Sequence, residues 1–311
     1  MSAPVSKIRV VIILLIGLLA ISSAAVLIKS CDAPALTIAF YRVAIGSLFY
    51  FSVTRFQKNP LLKKFTPHTL RLALLSGLAL ALHFATWITS LNYTSVASSV
   101  VLVCTSPIWV AIGGFVFLRE RLHRFMIVGI VMALLGSIII SGGDVTYAQQ
   151  SLKGNLLAVA GAICAAAYLL IGRRLRRELD TFPYVTVVYA TAALFTLLWL
   201  AIAGLPLAGF DSRTVLFLLA IAFLPQIIGH TSFNWALKYF SATAVAIVVL
   251  GEPVGASVLA WIFLGETITL GQFAGMILIL AGVGITLYGE NKKISNKSTV
   301  KQQDNRENKP H

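Results

Sequence analysis

Acidic residues are scarce: Asp and Glu number 11 in 311 residues, against 25 Lys and Arg, and charged residues of both signs make up only 12% of the chain. A soluble domain carries about 25% charged residues, so this sequence has too little charge to cover a water-soluble fold. Cysteine is sparse as well. Of Cys31, Cys104 and Cys164, two fall inside apolar runs and none has the spacing of a pair or a metal site, which excludes a disulfide framework and a structural zinc centre. No His-Glu-x-x-His, Gly-x-Gly-Asp, Gly-x-Ser-Gly or P-loop occurs, which argues against an intramembrane protease and against ATP-driven transport. Neither enzyme activity nor a cofactor or bound metal is expected.

What the chain has in abundance is apolar sequence, 58% of its residues. Ten hydrophobic segments stand out, at about 9–28, 34–54, 69–90, 94–117, 125–142, 154–172, 183–203, 214–237, 241–264 and 270–289. Each is long enough to cross about 30 Å of hydrocarbon at about 1.5 Å per residue. Hydrocarbon offers the backbone no hydrogen-bond partner, so spanning segments close their own bonds as helices. The dyad alternation of membrane barrels is absent. The expected fold is therefore an all-α membrane protein of ten transmembrane helices. The first segment, with an apolar run of about 19 residues, exceeds the 7–15 of a signal peptide and is read as a retained helix.

Basic residues mark the ends of these segments. With the amino terminus inside, the outer stretches hold only Lys29, Lys153 and Arg213, and Arg42 lies within a helix; all other Lys and Arg fall on the inner side. That asymmetry predicts cytoplasmic termini and accounts for the net charge of +14 without a nucleic-acid partner. Residues 290–311 are polar and nearly free of large apolar side chains, a composition that predicts a disordered cytoplasmic tail.

An internal repeat organises the rest. Pro107, Phe117, Leu118, Glu120, Gly129 and Gly136 recur 146 positions later as Pro253, Phe263, Leu264, Glu266, Gly275 and Gly282, and Leu91, Tyr93 and Ser95 recur as Leu237, Tyr239 and Ser241. Residues 1–142 and 143–289 are thus two copies of a five-helix unit. Five is odd, so the second copy enters the membrane from the opposite side, giving two inverted five-helix repeats. Inverted repeats are the architecture of carriers that expose one midplane site alternately to each side.

On these motifs, together with Phe40-Tyr41-Arg42 in the second segment, the chain resembles the drug/metabolite transporter superfamily, in its ten-helix EamA-type branch. The resemblance covers about residues 9–289. It implies a secondary carrier in the plasma membrane (a bacterial inner membrane), often an exporter of amino acids, other metabolites or drugs. It also implies a central cavity walled by the third, fourth, eighth and ninth helices and their neighbours.

Charges at membrane depth cost about 2.5–3.5 kcal/mol each on insertion scales and so demand an explanation. Glu252 lies roughly 16 Å into the ninth segment and Arg42 roughly 12 Å into the second. Glu252 is a candidate for binding a cationic substrate group or for carrying a coupling proton, and Arg42 for a matching contact; a fixed ion pair between the two is the alternative. His83 and His230 occupy near-equivalent places, offset by 147 rather than 146. Each is either a cavity residue or bonded to a neighbouring helix carbonyl. Trp87, Gln226 and Ser106 complete the expected substrate-binding set. Asn234, on the eighth segment, is a further polar amide of the kind that orients a small polar ligand, whereas Asn92 and Trp235 lie near helix ends, where interfacial residues belong. Pro107 and Pro253 break two helices at matched positions, which exposes polar backbone at depth and points to a carrier's site. Glu120 and Glu266 end apolar segments and are expected to be structural, bonding loop backbone or capping a helix.

The expected partners are a small-molecule substrate, membrane lipid and, as a candidate coupling ion, the proton; a homodimer stays open. A channel or non-transporting membrane scaffold is the alternative function.

Overall fold

The computed structural model describes residues 7–57, 65–90, 92–94, 99, 102–120, 122–141, 152–265 and 267–307. Glu266, Leu91, Ser95 and the expected boundary between the two repeats at 142/143 lie outside the described residues. Among the described residues the chain is all helix, without strands. Its helices are α1 (Lys7–Lys29), α2 (Ala35–Phe56), α3 (Pro67–Ser90), α4 (Ser106–Leu118), α5 (Arg124–Ser141), α6 (Leu152–Leu175), α7 (Thr181–Ile202), α8 (Ser212–Ala236), α9 (Ala242–Val249), α10 (Glu252–Leu264) and α11 (Leu270–Glu307). Among the described residues, eight stretches are long and apolar enough to cross a membrane, with α9 and α10 forming one of them; α4 and α5 are shorter apolar helices. The apolar part of α11 ends near Glu290, and the helix continues to Glu307 through the polar stretch for which composition predicts disorder.

Large apolar side chains such as Ile12, Leu19, Phe115, Phe117, Ile202 and Phe263 are exposed, as on a surface that faces lipid. With hydrophobicity the same inside and outside the bundle, close backbone approach becomes the means of association. α5 and α11 show it most plainly. A methyl group on Gly129 would meet the Gly282 carbonyl oxygen at 2.7 Å, and one on Gly282 would meet the Gly129 oxygen at 2.8 Å. Gly136 and Gly275 repeat this reciprocal contact, at 2.6 and 2.8 Å. Residue numbers rise on one helix as they fall on the other, so the two run antiparallel.

The remaining helices form the same kinds of pairs. α1 packs on α8 and α10, α6 packs on α3 and α4, and α2 packs on α7. Serine and threonine bind the molecule across these seams: Ser47 Oγ donates to the Thr186 carbonyl at 3.2 Å, and Ser76 shares a hydrogen bond with the Tyr184 hydroxyl at 3.0 Å. Ala158, Ala162 and Ala166, spaced four residues apart, are buried on α6 and let neighbouring backbones approach closely.

The two ends of the bundle differ. At one end Arg173 Nε donates to Glu120 Oε1 at 3.1 Å, its other nitrogen donates to the Leu237 carbonyl, and Arg177 approaches the same carboxylate oxygen at 3.8 Å. Arg176 is buried there and donates to the carbonyls of Leu179 and Asn234 and to the Thr181 hydroxyl. Glu120 therefore ties the end of α4 to the end of α6, a side-chain ion pair in place of the loop-backbone or capping role expected of it. At the other end the α7–α8 connection folds over α2: Thr37 Oγ1 donates to the Pro206 carbonyl at 3.0 Å and Tyr41 Oη to the Leu207 carbonyl at 2.6 Å. Asp211 caps α8 there, accepting from the Thr214 amide at 2.9 Å.

Candidate functional site

Two helix breaks set the position of the site. Near Thr105 and near Gly251 the backbone changes to i→i+3 bonds, Thr105 N–H to the Leu102 carbonyl and Gly251 N–H to the Val248 carbonyl, and a new helix starts one residue later, at Ser106 and at Glu252. Pro107 and Pro253 each take the second position of the new helix, where a missing amide proton costs nothing. The prolines thus start α4 and α10 rather than kink continuous helices. Ser106 and Glu252 are themselves 146 residues apart, and both face one cavity.

That cavity, of about 100 Å³, lies among α1, α2, α3, α6, α8 and the two broken segments. Arg42, His83, Trp87, Ser106, His230 and Glu252 all line it, so six of the seven side chains expected to bind substrate converge on one space. The seventh, Gln226, is fully buried behind Arg42: Arg42 Nε donates to Gln226 Oε1 at 3.0 Å. The Arg42 guanidinium also lies over the Phe84 ring, 4.1 Å from its centroid, a cation–π contact of the kind strengthened by desolvation. Among the described residues no ion pair within 4 Å joins Arg42 to Glu252. The fixed pair offered as the structural alternative is not formed; the two charges face a common space without meeting.

His83 Nδ1 lies 2.9 Å from the Gly161 carbonyl on α6. A carbonyl only accepts, so Nδ1 carries a proton, and in the neutral ring the other nitrogen is left as an acceptor. His83 also stacks on Trp87, with centroids 6.0 Å apart and planes at 3°. Trp87 Nε1 is buried with no hydrogen-bond partner, a donor in a cavity wall lacking an acceptor. His230 meets Phe84 edge-on at 5.5 Å.

The one-residue offset between the histidines does not separate them, because α8 is not regular. Ala222–His230 is a π-helix with Pro225 inside it. Its wider turn changes the rotation per residue from that of a regular α-helix, so the offset does not set the two side chains on different faces. Tyr50 Oη donates to the Ile227 carbonyl at 2.8 Å and anchors this segment to α2.

Phe84, Tyr168 and Cys104 also line the cavity and were not among the expected residues. Tyr168 could have been found as the one phenol on a helix whose buried face is otherwise alanine, glycine and leucine. Asn234 is buried and donates to the Tyr168 hydroxyl and the His230 carbonyl. Trp235 is half-buried against Tyr239, and Asn92 is exposed.

Comparison with known proteins finds relatives among membrane transporters. The EamA-like transporter family matches residues 8–142 and again residues 152–288. A "Probable amino-acid metabolite efflux pump" of Salmonella typhimurium is 29% identical over 62% of this chain and 67% of its own length. The similarly named Escherichia coli protein is 27% identical over 70% and 77%. An "Uncharacterized transporter" of Clostridium kluyveri is 25% identical over 74% and 75%. A solved crystal structure shares the fold with a TM-score of 0.79 at 18% identity, covering 92% of this chain and 99% of that one. A multi-pass, all-helical chain matched twice by one model over nearly its whole length belongs to the EamA-like transporter family.

Proposed function

We propose that the protein is a secondary carrier that moves a small zwitterionic solute of amino-acid type across the membrane by alternating access, with export favoured. The observation that carries this reading is the placement of Arg42 and Glu252 on one cavity without contact. A buried charge left alone is costly, and removing one partner of a buried pair costs about 3–5 kcal/mol. A solute with a carboxylate and an ammonium group satisfies both charges at once, the carboxylate on Arg42 and the ammonium on Glu252. The amino terminus of α4 at Ser106 adds the positive end of a helix dipole to the carboxylate side. A cavity of about 100 Å³ is small against the roughly 300 Å³ or more of a drug site, which favours a small solute over a large one. Two relatives named as amino-acid metabolite efflux pumps support the same class.

Ten spans in two inverted halves, as the sequence repeat suggests, fit the packing. Exchanging residues by the 146-residue offset turns the Gly129·Gly282 contact into the Gly275·Gly136 contact, and the pairing of α1 with α8 into that of α6 with α3. Each half then exposes the cavity in turn. Glu252 holds either a proton or the solute's ammonium group, so inward movement of a proton is exchanged for outward movement of solute. Both termini lie in the cytoplasm on the basic side.

A thermal-shift panel tests the recognition chemistry. Neutral amino acids are expected to stabilise the purified protein by mass action, whereas the matching amine without the carboxylate and the matching acid without the amino group are not. Equal stabilisation by the amine or the acid contradicts the two-charge reading.

A further inference from the structure

On the outer face of α5 and α11, away from the cavity, Arg124, Phe125, Val128, Gly284, Ile285 and Tyr288 line an open groove of about 420 Å³. Its floor is cut by Gly284, where an added methyl would meet nothing within 4 Å. Phe125 and Tyr288 meet edge-to-face across the two helices, centroids 5.6 Å apart at 83°. Arg124 is exposed at the amino terminus of α5, with its guanidinium 5.1 Å from the Phe125 ring. The groove is therefore apolar along its length and cationic at one end, the end that also carries Arg173, Arg176 and Arg177.

We propose that this groove binds one anionic phospholipid, its phosphate on Arg124 beside the Tyr288 hydroxyl and one acyl chain in the notch at Gly284. Tyrosine and arginine at this level are the side chains that meet lipid headgroups. A second copy of the chain is a poorer occupant. A two-fold axis along the membrane normal would set Arg124 beside the same basic end of the partner, and each copy carries a net charge of +14. The counterpart positions at the other end do not form such a site. Leu270 and Gly271 stand in place of Arg124 and Phe125, and Ile138, half exposed, stands where Gly284 leaves its notch. The lipid thus binds only in the leaflet facing the basic end.

Native mass spectrometry of the full chain in neutral detergent, with phosphatidylglycerol and phosphatidylcholine of identical acyl chains, tests the assignment. The protein is expected to retain one phosphatidylglycerol in preference to phosphatidylcholine. Arg124→Gln should weaken phosphatidylglycerol retention about fivefold, the share of one basic side chain at a membrane surface, without affecting phosphatidylcholine. Gly284→Leu should weaken both. Equal retention of the two lipids by the parent protein, or undiminished phosphatidylglycerol in Arg124→Gln, overturns the proposal. So does a Gly284→Leu variant that changes the dimer fraction but not lipid retention, which would put a second copy in the groove. Melting in lipid-free detergent checks folding, and should Gly284→Leu fail to fold, the exposed Arg124→Gln change decides alone.

Discussion

Arg42 Nε donates to Gln226 Oε1 across 3.0 Å, with both side chains buried and drawn from helices 184 positions apart in sequence. This bond and the Phe84 ring beneath the guanidinium fix where the cation points. Gln226→Leu removes the acceptor and keeps most of the volume. A hydrogen bond to a charged group is worth about 1.5–3 kcal/mol, so solute affinity measured by calorimetry is expected to fall about tenfold to a hundredfold. Unchanged affinity would mean that Gln226 does not position Arg42.

The reciprocal glycine contacts between α5 and α11 make a packing test. Gly282→Ala places a methyl 2.8 Å from the Gly129 carbonyl oxygen, and overpacking of this kind costs about 1–3 kcal/mol. Gly284→Ala, two residues on, meets open space and should leave stability nearly unchanged. Comparing the two melting temperatures in one detergent checks this; equal losses would contradict the antiparallel glycine seam.

Much of this architecture was legible beforehand because hydrophobic length and repeat register are properties of the chain itself. The repeat placed Pro107 with Pro253, and the helix starts that hold these prolines bring Ser106 and Glu252 to one cavity. Six expected residues share one space because each was a polar group on an apolar helix, a placement that energetics rarely tolerates without a purpose. The π-helical turn at Ala222–His230 was not legible: it depends on Tyr50 and the packing of α2 as well as on Pro225. Nor was the role of Gln226, since sequence does not tell a side chain that faces a cavity from one that holds its neighbour. Tyr168 escaped because a stripe of alanines reads as packing, and Glu120 finds its arginine 53 residues away, beyond any local pattern.

Arg119 closes α4 in a left-handed conformation, φ 54°, and its repeat counterpart Gly265 takes φ 69°. A residue with a Cβ is strained there, whereas glycine is not. Arg119→Gly is expected to stabilise the protein by about 0.5–1 kcal/mol, read as a higher melting temperature. A lower one would mean that the exposed arginine makes a contact worth more than the strain.

Asp211, at the start of α8, is held below the ordinary carboxylate range by hydrogen bonds from the Thr214 hydroxyl and amide. Its folded pKa is lowered, so the unfolded chain binds more protons and stability rises with pH through this window. The contribution is complete above the ordinary carboxylate pKa of about 4 and is lost as pH falls through the lowered folded value. Melting between pH 6 and pH 3 should show a smaller acid-side loss in Asp211→Asn, which caps without titrating; identical curves would remove Asp211 from the pH dependence.

Solute counterflow in proteoliposomes probes transport itself. Unlabelled neutral amino acid inside is expected to accelerate entry of the same labelled amino acid, and a pH gradient is expected to drive its accumulation. Glu252→Gln loses both the proton site and the partner of the solute's ammonium group, so it should weaken the exchange and abolish the accumulation. Entry indifferent to internal solute, or accompanied by uncoupled ion conductance, would contradict a carrier, and undiminished accumulation in Glu252→Gln would remove the proton from Glu252.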